Sequence, residues 1–357
     1  MRGRAAALRA LDAVPPGGGA TVMGTGIVAI GLDLGRHFVL SRVLLAVDVV
    51  LWLTLLATFL PRALRQRERW RREARLPELL SLVAACGVLG SRITLLGQEW
   101  AGDLLLALAL GLWLSLVPRV VRHWRRPTVG TSFLLVVSTE SLAVLAALLA
   151  VHAHAGWLAA AALAPLIGGL VAYAYALWRV DLGQLLRGRG DHWIFGGALA
   201  IATLACAEVD IALRVTGTLA GAGLPLDDAT LALWAAAVLW LPALLVGEVV
   251  SPRLRYDARR WSTVFPVGMY AVATVATGHA EDISGFVHAG HIWVWPAFTV
   301  WTIVFGGLLA RSAEVLRAAG SRNGSGPAGE RVGHAEVDPA DEDVASCLRH
   351  RGEHAAE

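Results

Sequence analysis

Residues 17–35 read GGGATVMGTGIVAIGLDLG, an apolar segment in which seven of the nineteen positions are glycine. An apolar run of this length can cross the ~30 Å hydrocarbon core of a bilayer as an α-helix. Glycine is the poorest ordinary helix former, about 1 kcal/mol per site less favourable than alanine. The stretch therefore predicts a membrane-spanning helix. Its glycines weaken the helix itself, so we expect them to allow close packing against neighbouring helices or to leave space beside it.

The rest of the chain has the composition of a polytopic membrane protein. Of its 357 residues, 56% are hydrophobic and 17% are charged. Backbone groups have no water partners in lipid, so each long apolar run is expected to be helical. The predicted fold is an all-α polytopic membrane protein with ten transmembrane helices, near residues 18–35, 43–60, 77–96, 101–118, 130–151, 156–178, 193–214, 229–250, 262–279 and 290–310.

The placement of the basic residues predicts the orientation. All 31 are arginine, and they concentrate in the N-terminus and in every second linker. Four of the alternate linkers, 98–103, 152–156, 224–230 and 278–285, contain none. By the positive-inside rule both termini are cytoplasmic and the chain forms five hairpins in the plasma membrane. The same rule accounts for the pI near 9.0 without a nucleic-acid partner.

Three regions follow from this pattern. Residues 1–16 are predicted to be a cytoplasmic N-terminus, and residues 17–311 the ten-helix transmembrane domain. Residues 312–357 are rich in glycine, serine, proline and acids, a composition that cannot bury a core. They are predicted to be a disordered cytoplasmic tail.

The predicted spans differ in bulk. The second and fourth are rich in leucine, whereas the first, third, fifth and seventh carry glycine, alanine, serine and threonine, which let helix backbones approach closely. This pattern predicts an inner ring of five odd-numbered helices around a central pore, inside an outer ring of five even-numbered ones. Small residues that only pack against neighbouring helices are the alternative. The glycines predicted to leave the pore open are Gly24, Gly26, Gly87, Gly90, Gly196 and Gly197.

Two stretches carry a family resemblance. PPGGGATVMGTGIVAIG (15–31) resembles the first-helix signature of the tellurite-resistance/C4-dicarboxylate transporter family, and RRWSTVFPVGMYAVAT (259–274) resembles its ninth helix. That family includes fungal malate permeases, sulfite efflux pumps and plant guard-cell slow anion channels. The resemblance covers about residues 15–311 and excludes the tail.

The resemblance implies a function and an assembly. It implies a homotrimer in which each subunit has its own anion pore, with Phe265 plugging the pore near its middle and Pro266 kinking the helix beside it. C4-dicarboxylates such as malate or succinate are the expected substrates. Small inorganic anions, among them sulfite, chloride, nitrate and tellurite-linked species, remain open, as does the choice between a channel and a proton-coupled carrier.

A carboxylate lies near the middle of the fifth predicted span. Glu140 is flanked by Ser138 and Ser141, and a charge at that depth costs about 2.5–3.5 kcal/mol on insertion scales. It should therefore face a cavity or be protonated. A coupling proton, a neutral packing acid and another role are the three interpretations. The acids nearer span ends, where water is closer, are Asp48, Glu208 and Asp210.

Two arginines are predicted on the outer side of the membrane. Arg92 and Arg214 lie on the third and seventh spans, which belong to the predicted inner ring. They are candidates for a positive vestibule that attracts anions. Interfacial arginines that only extend toward water are the alternative.

The histidines of the chain suggest one alternative class of protein. Five of them lie on outer linkers or span ends and motivate a membrane haem or metal redox protein: His152, His154, His279, His288 and His291. Haem ligands in a helix bundle are expected inside, on facing helices. The sequence has no HExxH, GxSxG or P-loop motif, so no catalytic residue, metal or cofactor is predicted.

Overall fold

The computed structural model describes residues 14–124, 130–179, 193–219, 223–250 and 256–321. Within these ranges all regular structure is helical, which confirms the predicted all-α polytopic fold. Most of the predicted N-terminal segment, and the predicted tail beyond residue 321, lie outside the described residues.

Within the described residues, one helix lies at each of the ten apolar runs. These helices are α1 (Gly19–Leu34), α2 (Phe38–Leu64), α3 (Ser81–Thr94), α4 (Glu99–Arg122), α5 (Leu134–His152), α6 (Gly156–Arg179), α7 (Trp193–Val215), α8 (Leu226–Val250), α9 (Trp261–Ala280) and α10 (Ser284–Ser321). Helix α10 continues past the predicted end of the domain at residue 311. One compact unit ends at Ala313, and the last turns of α10, from Glu314, belong to a second unit.

Fewer of these helices qualify as membrane spans than the sequence predicts. Among the described residues, eight helices are long and apolar enough to cross a bilayer. Helix α3 has only 14 residues, and it contributes a ninth span only if Arg67–Glu73 and Pro77–Thr94, which meet at 96°, count as one. Helix α9 is 20 residues long but carries serine, threonine and glycine among its apolar residues. Ten spans therefore stay a prediction.

The odd-numbered helices are the buried ones. In α5 and α7, 89% of the most apolar window is buried, against 17% in α8 and 28% in α2 and α6. The odd helices contact one another in the cyclic order α1, α3, α5, α7, α9 and back to α1. Their small residues permit these close approaches, because a glycine or alanine removes the bulk that would hold two backbones apart.

The even-numbered helices cover the odd ones from outside. Helices α2, α4, α6 and α8 each pack against the odd helix before them and the odd helix after them. Helix α10 meets α9 where the Trp293 indole donates to the Val267 carbonyl at 3.1 Å, and meets α1 where Trp301 donates to Thr25 Oγ1 at 3.0 Å. Their outward faces carry exposed leucine, valine and tryptophan, as expected of lipid-facing surfaces.

Candidate functional site

Two cavities lie between the odd helices. The first, which we name the N-side cavity, has a volume of about 430 Å³ and is lined by residues at or just before the N-terminal ends of all five odd helices. Ala20, Thr131, Ile194 and Ser262 are among its lining residues, and Glu78 comes from the turn before α3. The described even helices contribute no residue to this lining. The cavity is therefore lined by the odd helices and by the short segments that precede them.

The second cavity lies farther along the same helices. This C-side cavity, of about 70 Å³, is lined by later residues of the same five helices or their ends, such as Ile30, Ser91, Val144, Leu204 and Val272. Its lining, among the described residues, also excludes the even helices. Since both cavities are enclosed by the same five helices, they lie in series along one axis.

The two cavities are separated by about one helical turn on α1, α5 and α9, and by about two turns on α7, between Ile194 and Ile201. On α1, Met23 lines the N-side cavity and Ile27 the C-side cavity; on α9, Pro266 and Met269 do the same. Four residues of helix rise correspond to about 6 Å. Phe265 lines the N-side cavity at this boundary and is only 4% exposed. It lies in the first third of α9, nearer one end of the axis than the predicted middle.

Helix N-termini surround the N-side cavity. All five odd helices point their N-terminal ends at it, and short 3₁₀ turns precede four of them. The first N–H groups of a helix lack intrahelical partners, and its dipole places partial positive charge there. Such ends attract anions. Arg259 also lines this cavity, together with the acids Glu78 and Asp257.

The predicted pore-lining glycines correspond mostly to helix contacts. Of the six, only Gly87 lines a cavity, the C-side one. A Cβ atom added at the other five would lie 3.0 Å or less from a side chain of a neighbouring helix: Gly24, Gly26, Gly90, Gly196 and Gly197. The prediction that these five line the pore is therefore corrected. They bring the helices together, which is the alternative that the sequence left open.

Gly197 provides a test of this packing. A Cβ added there would lie 2.6 Å from Pro266 Cγ and 3.2 Å from Pro266 Cα, which belongs to the backbone and cannot move aside alone. We expect Gly197→Ala to destabilise the protein by about 1–3 kcal/mol, the usual effect of overpacking. Thermal unfolding of the purified protein in detergent measures it.

Gly111 on α4 is the matched control, because an added Cβ there meets nothing within 4 Å. Gly111→Ala should leave the melting temperature unchanged or raise it slightly, since alanine is the better helix former. Equal melting temperatures for the two variants would contradict the assigned role of Gly197.

Glu140 lies deep in the bundle but away from both cavities. Its side chain is fully buried against Gly169 on α6, and neither carboxylate oxygen has a hydrogen-bond partner among the described residues. Ser138 donates to the Leu135 carbonyl and lines neither cavity, whereas Ser141 lines the C-side cavity. Glu140 and Ser138 line neither cavity, which corrects their predicted placement, whereas the role of Ser141 in a pore stays a prediction.

Arg92 does not contribute to a vestibule. Its guanidinium is fully buried; Nη2 lies 2.7 Å from Asp33 Oδ1, and Nη2 and Nε donate to Ser41 Oγ at 3.0 and 3.2 Å. The cavity is instead lined by the preceding residue, Ser91. Arg92 thus joins α3 to α1 and to α2, and its predicted vestibule role is corrected.

Arg214 lies at the C-terminal end of α7 with half of its side chain exposed. It forms ion pairs with Asp210 at 2.7 Å and with Asp227. Glu281 lies close enough to interact with Arg214, although burial raises the pKa of Glu281 above its usual value. Because carboxylates surround this arginine, its charge is largely neutralised locally, and it lines neither cavity.

Two titratable residues line the C-side cavity, Glu208 on α7 and His279 on α9. The sequence prediction treated Glu208 only as an acid near a span end and His279 only as one of five outer histidines. A signal was present in the sequence. Ile201, Leu204 and Glu208 recur at spacings of three and four, which places them on one face of a helix.

Metal ligands are not grouped in the described part of the chain. Within it, no set of three histidine, cysteine, aspartate or glutamate side chains lies close enough together to hold a metal ion. Of the five outer histidines, only His279 lines one of the two cavities.

Comparisons with known proteins agree with this architecture. The family model described as SLAC1, voltage-dependent anion channel, matches residues 13–309. An uncharacterized membrane protein of Mycobacterium tuberculosis strain CDC 1551 / Oshkosh is 32% identical over 140 residues, covering 36% of this chain and 68% of the relative. The corresponding protein of strain ATCC 25618 / H37Rv matches with the same identity and coverage. The family match begins before α1 and ends within α10.

Proposed function

Because the chain belongs to the SLAC1 family of voltage-dependent anion channels, we propose that it conducts small anions along the axis of its five odd helices. The family membership confirms the resemblance predicted from the first and ninth helices. It is a family of channels and transporters, and we assign this chain no catalytic activity. The function we propose is passive anion passage through a path within each subunit.

The arrangement of the N-side cavity carries this proposal. Five helix N-termini surround this cavity, and Arg259 lines it together with the acids Glu78 and Asp257. Partial positive charges that converge on a cavity of low dielectric favour an anion more strongly than they would in water. The C-side cavity continues the same axis, so an anion held in the first cavity faces the second across the turn that contains Phe265.

The family resemblance and the cavity volumes support two candidate classes of substrate. The N-side cavity, at about 430 Å³, falls within the roughly 300–1,000 Å³ of small-molecule sites and supports a C4-dicarboxylate such as malate or succinate. The C-side cavity has a much smaller volume, about 70 Å³. That observation favours a second candidate, a channel for small inorganic anions such as chloride, nitrate or sulfite.

Assembly and orientation complete the proposal. We propose a homotrimer, as the family resemblance implies, with the exposed even helices supplying both lipid-facing and subunit-facing surfaces. Both termini are proposed to be cytoplasmic, because arginine is concentrated in the linkers on that side. The N-side cavity then opens toward the cytoplasm of a cell whose plasma membrane holds the protein.

Flux measurements test the proposed function. Protein reconstituted in liposomes should release chloride, nitrate and succinate faster than protein-free liposomes, without an applied pH gradient. Comparison of the anions distinguishes the two candidate substrate classes. Liposomes that hold correctly folded protein and release none of these anions would contradict the proposal.

A further inference from the structure

Glu208 is the one carboxylate among the described residues that line the C-side cavity. Its neighbours in that lining come from all the other odd helices. Helices α1, α3 and α5 contribute no titratable side chain, and α9 contributes His279. Any anion that passes through the narrow cavity must therefore pass close to Glu208.

No described residue neutralises this carboxylate. Asp33 is paired with Arg92 and Asp210 with Arg214, each at 2.7 Å, whereas none of the described residues gives Glu208 a hydrogen bond or an ion pair. A cavity of about 70 Å³ holds on the order of two waters at the ~30 Å³ each occupies in the liquid. Water in so small a space screens a charge poorly, so an ionised Glu208 acts on the whole cavity.

We propose that Glu208 sets the charge of the C-side cavity and so couples anion passage to pH. This inference rests on the proposed function. When Glu208 carries a proton, the cavity is neutral and admits anions. When it is ionised, its charge repels them. Conductance should therefore rise as pH falls, and the acid responsible is Glu208 rather than Glu140, which faces α6 from the other side of the inner helices.

The ionisable groups near Glu208 decide which control variants the experiment needs. On α9, His279 is the other ionisable side chain that lines the same cavity. On α7 itself, Asp210 and Arg214 form a pair beyond the cavity lining. Glu140 is the matched buried acid that lines neither cavity. Separate variants of Glu208, His279 and Glu140 therefore distinguish the contributions of the three side chains.

The experiment measures chloride conductance in planar bilayers with the same pH on both sides, from about pH 8 down to about pH 5, a range that approaches the ordinary carboxyl pKa from above. The wild-type chain should gain on the order of tenfold in conductance over this range. Glu208→Gln should show the high conductance at every pH. Glu140→Gln and His279→Gln should keep the wild-type pH dependence.

The same pH series is repeated in the Phe265→Ala background, where the C-side cavity is the narrowest remaining part of the proposed path. Glu208→Ala provides a second neutral variant if Glu208→Gln folds poorly. Retention of the wild-type pH dependence by both neutral variants, or its loss in His279→Gln alone, would overturn the assignment to Glu208. A pH-independent wild-type conductance would overturn it as well. Absence of anion conductance from every folded variant at every pH would instead overturn the proposed function, and this inference with it.

Discussion

Replacing Phe265 with alanine is expected to raise anion conductance several-fold and to leave the stability of the protein close to that of the wild type. Phe265 lines the N-side cavity next to the turn of α9 that separates it from the C-side cavity, whose lining begins at Met269. No described aromatic ring packs against it, although it is nearly fully buried. Its removal should join the two cavities rather than leave a closed void in packed protein.

Phe133 is the matched control for this experiment. It is fully buried at the start of α5, and its ring makes edge contacts with Tyr173 at 5.4 Å and Phe195 at 4.7 Å. Phe133→Ala should therefore destabilise the protein by about 3–5 kcal/mol, the usual effect of removing a core phenylalanine, without raising conductance. Conductance in planar bilayers and thermal unfolding in detergent are measured on the same two variants.

The outcomes separate a gate from a core residue. If Phe265→Ala melts as early as Phe133→Ala, its ring is part of the core. If it melts like the wild type and conducts no better, the ring lies off the rate-limiting part of the path. Either result would contradict the gate assignment, which the resemblance implies and the position of the ring at the cavity boundary supports.

The sequence shows which helix carries each candidate side chain, but not the direction in which that side chain points about the helix axis. Ser141 lines the C-side cavity, but Glu140, one residue earlier, faces Gly169 on α6. Ser91 lines the same cavity, but Arg92 faces α1 and α2. Successive helical residues point about 100° apart, so a residue on a helix that lines the cavity can still face away from it.

The sequence also does not show whether a given glycine packs against a neighbouring helix or lines a cavity. Small residues mark the odd helices, which are the more buried ones in the described residues, since close backbone approach requires small residues on some face. They do not reveal whether the space beside them is filled. Gly26 is filled by Asp48 of α2 and Val88 of α3, whereas Gly87 both contacts Ser141 and lines a cavity. Only the neighbours, which are distant in sequence, decide between these cases.

The ion pair of Arg92 predicts a large loss of stability when it is broken. Arg92 joins Asp33 of α1 and Ser41 of α2, and Ser41 in turn donates to the Ala29 carbonyl at 2.7 Å. Arg92→Met would leave the Asp33 carboxylate, 22% exposed, without its partner. We expect a loss of about 3–5 kcal/mol, because removing one member of a buried pair leaves an uncompensated charge. Thermal unfolding in detergent measures it.

Two companion variants decide whether that loss comes from the pair. Arg42→Met, on the exposed side of α2, removes an arginine of the same hairpin and should leave stability nearly unchanged. Adding Asp33→Asn to Arg92→Met removes the stranded charge and should recover part of the loss, since a pair replaced on both sides is often close to neutral. A stable Arg92→Met variant with reduced anion conductance would instead assign Arg92 to the anion path. The burial of its guanidinium between three helices argues for the structural role, because a charge already neutralised by Asp33 adds little attraction for a passing anion.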